Sequence, residues 1–217
     1  MRIWSVKIPE EKNYLLKIKD YKLPGHDYLL KIAPPARIKH LKNNIIPKDS
    51  KTASVLMLFY PDVNNETRLV LMLRNKYKGV HSNQISLPGG KVDRLDKSLK
   101  DTALRETHEE IGLHKDDIDI VGDLSSVYIP PSNFNVYPFI GYINTTPIFH
   151  PDPKEVSLIL KPKLDYVLNM DIVDSLVEVN GSTQKVPSYI INNHILWGAT
   201  AIMVHEFVLL FKQMINS

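Results

Sequence analysis

The chain has 217 residues, 43% of them hydrophobic, and a formal net charge of +3, which suits one large domain, or one domain with an extension. It has no cysteine, which excludes disulfides, thiolate nucleophiles and Cys-ligated zinc and makes the cytoplasm the expected compartment. Residues 1–51 carry twelve Lys/Arg against five Asp/Glu and the remainder fifteen against nineteen, but the basic residues are spaced out without interleaved aromatics, so they suggest a solvated face or a positive rim beside an anionic substrate, not a nucleic-acid surface.

The first residues hold no apolar core of signal-peptide length. The longest apolar runs, such as Val55 to Tyr60 and Phe207 to Phe211, fall far short of the roughly 20 residues that span a bilayer, so no membrane partner is expected. Glu10 to Lys19 reads as an amphipathic helix, broken at Pro24-Gly25, and a second short helix is expected at Asp27 to Ile32. Ala33-Pro34-Pro35-Ala36 is an extended linker, because a residue before proline is pushed out of the helical region. Residues 1–51 therefore form a basic, largely helical extension, and the main domain covers residues 52–217.

Ala53 to Tyr60 and Arg68 to Arg74 read as two buried strands of a hairpin. A basic loop follows with Lys76, Lys78 and His81, and Gln84 to Leu87 leads as a short strand into Pro88-Gly89-Gly90. A helix is expected from Ser98 to Ile111, with Ser98 and Asp101 in capping-box relation and Gly112 as its left-handed stop. Ile118 to Val121, Leu124 to Ile129 and Val136 to Ile143 are further strands, and Asp152 to Leu160 begins as a proline-bounded loop. Leu176 to Val179 and Tyr189 to Ile191 are expected to pair around the Asn180-Gly181 turn. Thr200 to Ile215 is an amphipathic helix that closes the fold.

The chemistry lies between Leu87 and Leu113. At about 100° per residue, Glu106, Glu109 and Glu110 share a sector of roughly 100° beside an apolar stripe of Ala103, Leu104, Thr107 and Ile111. Such a negative row needs a compensating cation, and oxygen-only ligands in this number suit Mg²⁺ or Mn²⁺. Arg105, four residues before Glu109, is placed to orient that carboxylate. Gly89 and Gly90 have no side chains to keep a phosphate away. The combination points to cation-assisted attack of water on a diphosphate, with a carboxylate taking the proton.

Arg105-Glu106-Thr107-His108-Glu109-Glu110-Ile111-Gly112-Leu113 resembles the second half of the Nudix hydrolase box, with Thr107 in a hydrophobic position. Gly90 and Asp96 stand in its first half, although Asp96 replaces a glutamate and the spacing to Arg105 is one residue longer. That spacing, together with Val70-Leu71-Met72-Leu73-Arg74-Asn75 and Leu87-Pro88-Gly89-Gly90, resembles the coenzyme A pyrophosphatase branch. Met72, Asn75, Gly79, Asn83 and Leu87 depart from the branch's strict signature.

The resemblance implies an α/β/α sandwich with a mixed sheet that hydrolyses the diphosphate of coenzyme A or its derivatives to 3′,5′-ADP and 4′-phosphopantetheine. It implies Glu106 and Glu110 as metal ligands, Glu109 as ligand or base, Glu155 as an auxiliary carboxylate and Arg105 as the orienting cation. Arg74, His81, Gly89, Gly90 and Phe134 are the candidate substrate contacts, with Lys76, Lys78 and His81 near a 3′-phosphate and Tyr128 or Phe134 near adenine. Asp96 is expected to serve the loop-to-helix junction, His194 and His205 to be packing or surface residues, and Trp197 to be core. The alternatives are a pyrophosphatase of ADP-ribose or another nucleoside-diphosphate derivative, a silent nucleotide-binding module, and an RNA-processing enzyme; a homodimer is left open.

Overall fold

The computed structural model describes residues 8–25, 29–35, 38, 46–76, 82–179 and 181–217. Lys78, Gly79 and His81, and the start of the expected helix at Asp27, lie outside the described residues.

Strand β1 (Lys51–Pro61) is central because its side chains serve two cores. Met57 and Phe59 enter one apolar cluster, whereas Leu56, Leu58 and Tyr60 enter another, the alternation of a strand covered on both faces. One edge pairs antiparallel with β2 (Thr67–Leu69) and, nearer its start, with β5 (Gly89–Lys91). The other runs parallel to β8 (Phe134–Tyr142), from Lys51 opposite Phe134 to Phe59 opposite Tyr142. Strands β6 (Asp119–Asp123) and β7 (Val127–Ile129) pair antiparallel with β8 and complete the mixed sheet.

The strand expected at Arg68 to Arg74 is divided between two sheets. Val70 still donates its N–H to Leu58 O at 2.9 Å, but β3 (Leu71–Arg74) then leaves to pair with β4 (Ile85–Ser86) and β9 (Val156–Leu160). Leu69 to Leu73 is buried throughout, so its sequence pattern carries no mark of where the chain changes partner. A third sheet holds β10 (Val173–Val179), β11 (Ser182–Ile191) and β12 (His194–Trp197). The expected hairpin pairs Val179 with Ser182, Asn180 lying outside the described residues, but Tyr189 and Ile190 lie at its far end and pair with Leu196 and Ile195 of β12.

Four α-helices complete the described fold: α1 (Ile8–Leu16), α2 (Leu99–Ile111), α3 (Leu164–Asn169) and α4 (Gly198–Ile215). Ala103 and Ile111 of α2 cover the Leu56 face of β1, and Phe207 of α4 stacks on Phe59 at 4.8 Å from the opposite side. The result is an α/β/α sandwich. Helix α4 is long and apolar enough to cross a bilayer, but its Phe207, Leu210, Phe211 and Met214 are consumed by the core. The basic leader joins the same core: Leu15, Ile18, Leu29, Ile32 and Ala33 are buried in the α4 cluster.

Candidate active site

Helix α2 is fixed at both ends, and that positions the carboxylates. Ser98 caps its start by accepting from Asp101 N–H, and Gly112 closes it at φ +76°. The capping is one-sided, because Asp101 carboxylate takes the Ser98 hydroxyl at 2.9 Å instead of a backbone N–H. Thr107 is tolerated on the buried stripe because its hydroxyl donates to Ala103 O at 2.7 Å. Loop residues His150 and Asp152 donate their N–H groups to Ile111 O and Glu110 O, each at 2.9 Å, and so bring Glu155 to the end of α2.

Two arginines divide the carboxylates between them. Arg105 Nη1 donates to Glu106 at 2.8 Å and to Glu109 at 3.0 Å, while its Nε and Nη2 grip Asp96 at 2.9 and 3.0 Å. Arg74, arriving from β3, donates to Glu110 at 3.1 Å and to Glu155 at 3.5 Å. The second oxygen of Glu110 accepts from Gly89 N–H at 2.8 Å. Asp96 also accepts from the Thr102 hydroxyl and Asp93 N–H, which makes it the anchor of Arg105 at the loop-to-helix junction.

The glycine corner is a strand, β5, in which Gly89 is sterically required by the β1 backbone and Gly90 leaves room for the Glu106 carboxylate. A methyl on Gly89 would lie 2.3 Å from Ser54 O, and one on Gly90 would lie 2.4 Å from the Glu106 carboxylate. Glu110 is almost fully buried, with 2% of its side chain exposed, against 56% for Glu109 and 50% for Glu155. Burial pushes the Glu110 carboxyl up to about 7, helped by the charges of Glu106 and Glu155 and opposed by Gly89 and Arg74. Burial likewise raises Glu106, and Glu109 and Glu155 add to the effect against Arg105. Asp96 moves the other way, held well below the usual carboxylate range by Arg105.

These carboxylates suit a hard divalent cation by their chemistry. Five carboxylates face two guanidinia in the ion-pair network, and Glu106, Glu110 and Glu155 repel one another across the site. As the side chains stand, turned onto the arginines, no three acidic or histidine groups among the described residues converge on one ion position.

Beside this cluster lies a chamber of about 750 Å³. Arg74, Gly89 and Gly90 line it, as do Ile85, Leu87, Ile129 and Phe134. Trp197, expected to be core, is a wall of this chamber together with Met203; an aromatic residue beside a glycine has no sequence mark that separates the two roles. Ser86 also lines it, and its buried hydroxyl has no partner among the described residues. One face of Phe134 is covered by the Lys51 ammonium at 5.7 Å. Tyr128 instead donates its hydroxyl to Asn133 at 2.9 Å, and His205 is buried against the Tyr189 hydroxyl.

A negatively charged helix face packed against a glycine strand suits a class, the cation-dependent enzymes that cleave phosphoanhydrides. The chain belongs to the Nudix hydrolase family: the NUDIX domain model matches residues 52–171, and on that membership the protein is a pyrophosphatase of nucleoside-diphosphate derivatives. It is 28% identical over 82% of its length to an uncharacterized Nudix hydrolase, NudL, of Photorhabdus laumondii, spanning 91% of that relative. A protein of the same description from Pectobacterium atrosepticum is 30% identical over 65% of this chain and 73% of the relative. Among solved structures, a MutT/nudix family protein from Enterococcus faecalis aligns at TM-score 0.47 and 16% identity, over 99% of this chain and 76% of the other.

Proposed function

We propose that this pyrophosphatase hydrolyses the diphosphate bond of coenzyme A or its derivatives, giving 3′,5′-ADP and 4′-phosphopantetheine or an acyl form of it. The observation that carries the reading is the chamber, of about 750 Å³, that Gly89, Gly90 and Arg74 line together with mainly apolar side chains. A substrate that joins a diphosphate to a long uncharged arm suits such a lining, since ligand cavities bind through apolar walls with a few placed polar groups.

Glu106, Glu109 and Glu110 would hold Mg²⁺ or Mn²⁺, which when bound supplies positive charge to the diphosphate oxygens. Glu109, half exposed and tethered by Arg105, can receive the proton of the attacking water, and Glu155 is the auxiliary carboxylate. Arg105 fixes the row, and Arg74 lies where a phosphate oxygen would enter. Gly89 and Gly90 let the diphosphate approach the backbone. Phe134 offers its uncovered face to the base, and His81, in the basic loop, is assigned to the 3′-phosphate.

A second reading has its own support. Phe134 and Trp197 both line the chamber, and two aromatic rings also suit the base of ADP-ribose or a related diphosphate. A substrate panel with Mg²⁺ or Mn²⁺ and product identification separates the two. Release of 3′,5′-ADP from coenzyme A is the expected result, and far faster cleavage of ADP-ribose would replace this substrate assignment. A Glu110→Gln variant that retained all turnover would remove the carboxylate row from the chemistry.

A further inference from the structure

Arg74 and Arg105 both carry the positive charge of the site, but they are held differently. Arg105 is gripped by buried Asp96 and also donates to Lys91 O at 3.1 Å, which ties it to the framework. Arg74, at the end of β3, reaches the inner carboxylates, Glu110 at 3.1 Å and half-exposed Glu155 at 3.5 Å, the longer contact a weak tether. Its flank lines the chamber. Arg74 thus binds the carboxylates and also lines the substrate cavity.

On Glu110, Arg74 and a divalent cation would compete for one oxygen, Oε1, because Oε2 already accepts from Gly89 N–H. The carboxylate is buried, and a buried charge without a cationic neighbour is costly, so in the metal-free protein Arg74 performs the neutralising role. A divalent ion on Glu110 would bring two positive charges against the guanidinium at short range, where like charges repel strongly at the edge of a low-dielectric site. Resting on the cation-dependent reading above, we infer that Arg74 is a stand-in cation: it neutralises Glu110 and Glu155 until a divalent ion binds, is then released from Glu110, and turns to the chamber as a phosphate ligand. Cation binding therefore assembles the anion site, and Arg74 is a positioning residue before it is a substrate contact.

The test is Mn²⁺ binding to chelator-treated full-length protein, followed by electron paramagnetic resonance and calorimetry. Arg74→Gln removes the competitor, so it should bind Mn²⁺ about tenfold more tightly than the parent, equivalent to about 1.4 kcal/mol. It should melt lower than the parent in chelator and close to it in saturating Mn²⁺. Arg74→Lys keeps a competing charge and should stay near the parent affinity. Unchanged or weaker Mn²⁺ binding by folded Arg74→Gln overturns the inference. Should that variant fail to fold, the parent supplies the measurement: Mg²⁺ titration should shift the Arg74 side-chain N–H resonance to a saturating limit, and an unmoved resonance overturns it equally. A parent that binds neither ion defeats the proposed function together with this inference, whereas a parent that binds Mn²⁺ with Arg74→Gln unaltered defeats the inference alone.

Discussion

Asp96 illustrates how much the site depends on a residue bound to Arg105 behind the carboxylate row. It receives Asp93 N–H, the Thr102 hydroxyl and two nitrogens of Arg105, and the Arg105 bonds hold its carboxyl below the usual range. A carboxylate with a folded-state pKa below its unfolded value of about 3.9 stabilises the fold fully above that value and loses the contribution as pH falls towards the folded pKa. Asp96→Asn should therefore be less stable than the parent at about pH 7, with the gap beginning to narrow only below about pH 4 and persisting in part at about pH 3, as read by urea unfolding at each pH. Loosening Arg105 in this way should also cost about 10- to 100-fold in kcat/KM, the range seen when groups behind ligating side chains are removed. Gly90→Ala places a methyl against Glu106 and should lower kcat about a hundredfold while the melting temperature changes little, since small displacements of a catalytic group have that effect. The carboxylate row was legible in the sequence because 3.6-residue periodicity places it on one face of a single helix. The Arg74–Glu110 contact was not, because it joins two elements whose relative placement depends on the division of the strand at Val70.

Helix α2 is legible almost to the residue, since Ser98 and Gly112 are local signals and need no knowledge of the fold. What they leave out is the loop that Gly112 admits: a methyl there would lie 2.6 Å from His150 Cβ. Gly112→Ala should combine left-handed strain with this collision and destabilise the protein by about 1–3 kcal/mol, measured by thermal unfolding. Because the same loop carries Glu155, the variant should also lose activity beyond what a weakened helix end explains, which a kinetic comparison with Ser98→Ala would reveal. The strands were harder to read. Leu69, Val70 and Leu71 are all fully buried, and a run without alternation gives no register, so hydrogen-bond partners decide where one sheet gives way to another.

In the whole molecule, one of the two cores crosses the line between leader and main domain. Tyr14 meets the edge of Phe211 at 5.7 Å, and Leu15 is fully buried beside α4. Leu15→Ala should therefore cost about 2–5 kcal/mol, measured by chemical denaturation, whereas a side chain on a loosely tethered arm would cost under about 0.5 kcal/mol. Amphipathic spacing identified the leader helix but not the surface that receives it, because the apolar face of a helix does not name its partner.

The chamber has a consequence for how such proteins diverge. Most of its lining, from Ala53 to Val136, lies inside the NUDIX match of 52–171, whereas Pro34, Glu178, Val179, Gln184, Trp197 and Met203 lie outside it. Inheritance of the reaction and inheritance of the diet thus share one stretch of chain only in part. Two relatives can share every catalytic carboxylate and still feed on different molecules, and a graft of the flanking segments, not of the glutamate helix, is the exchange that would move a preference from one to the other.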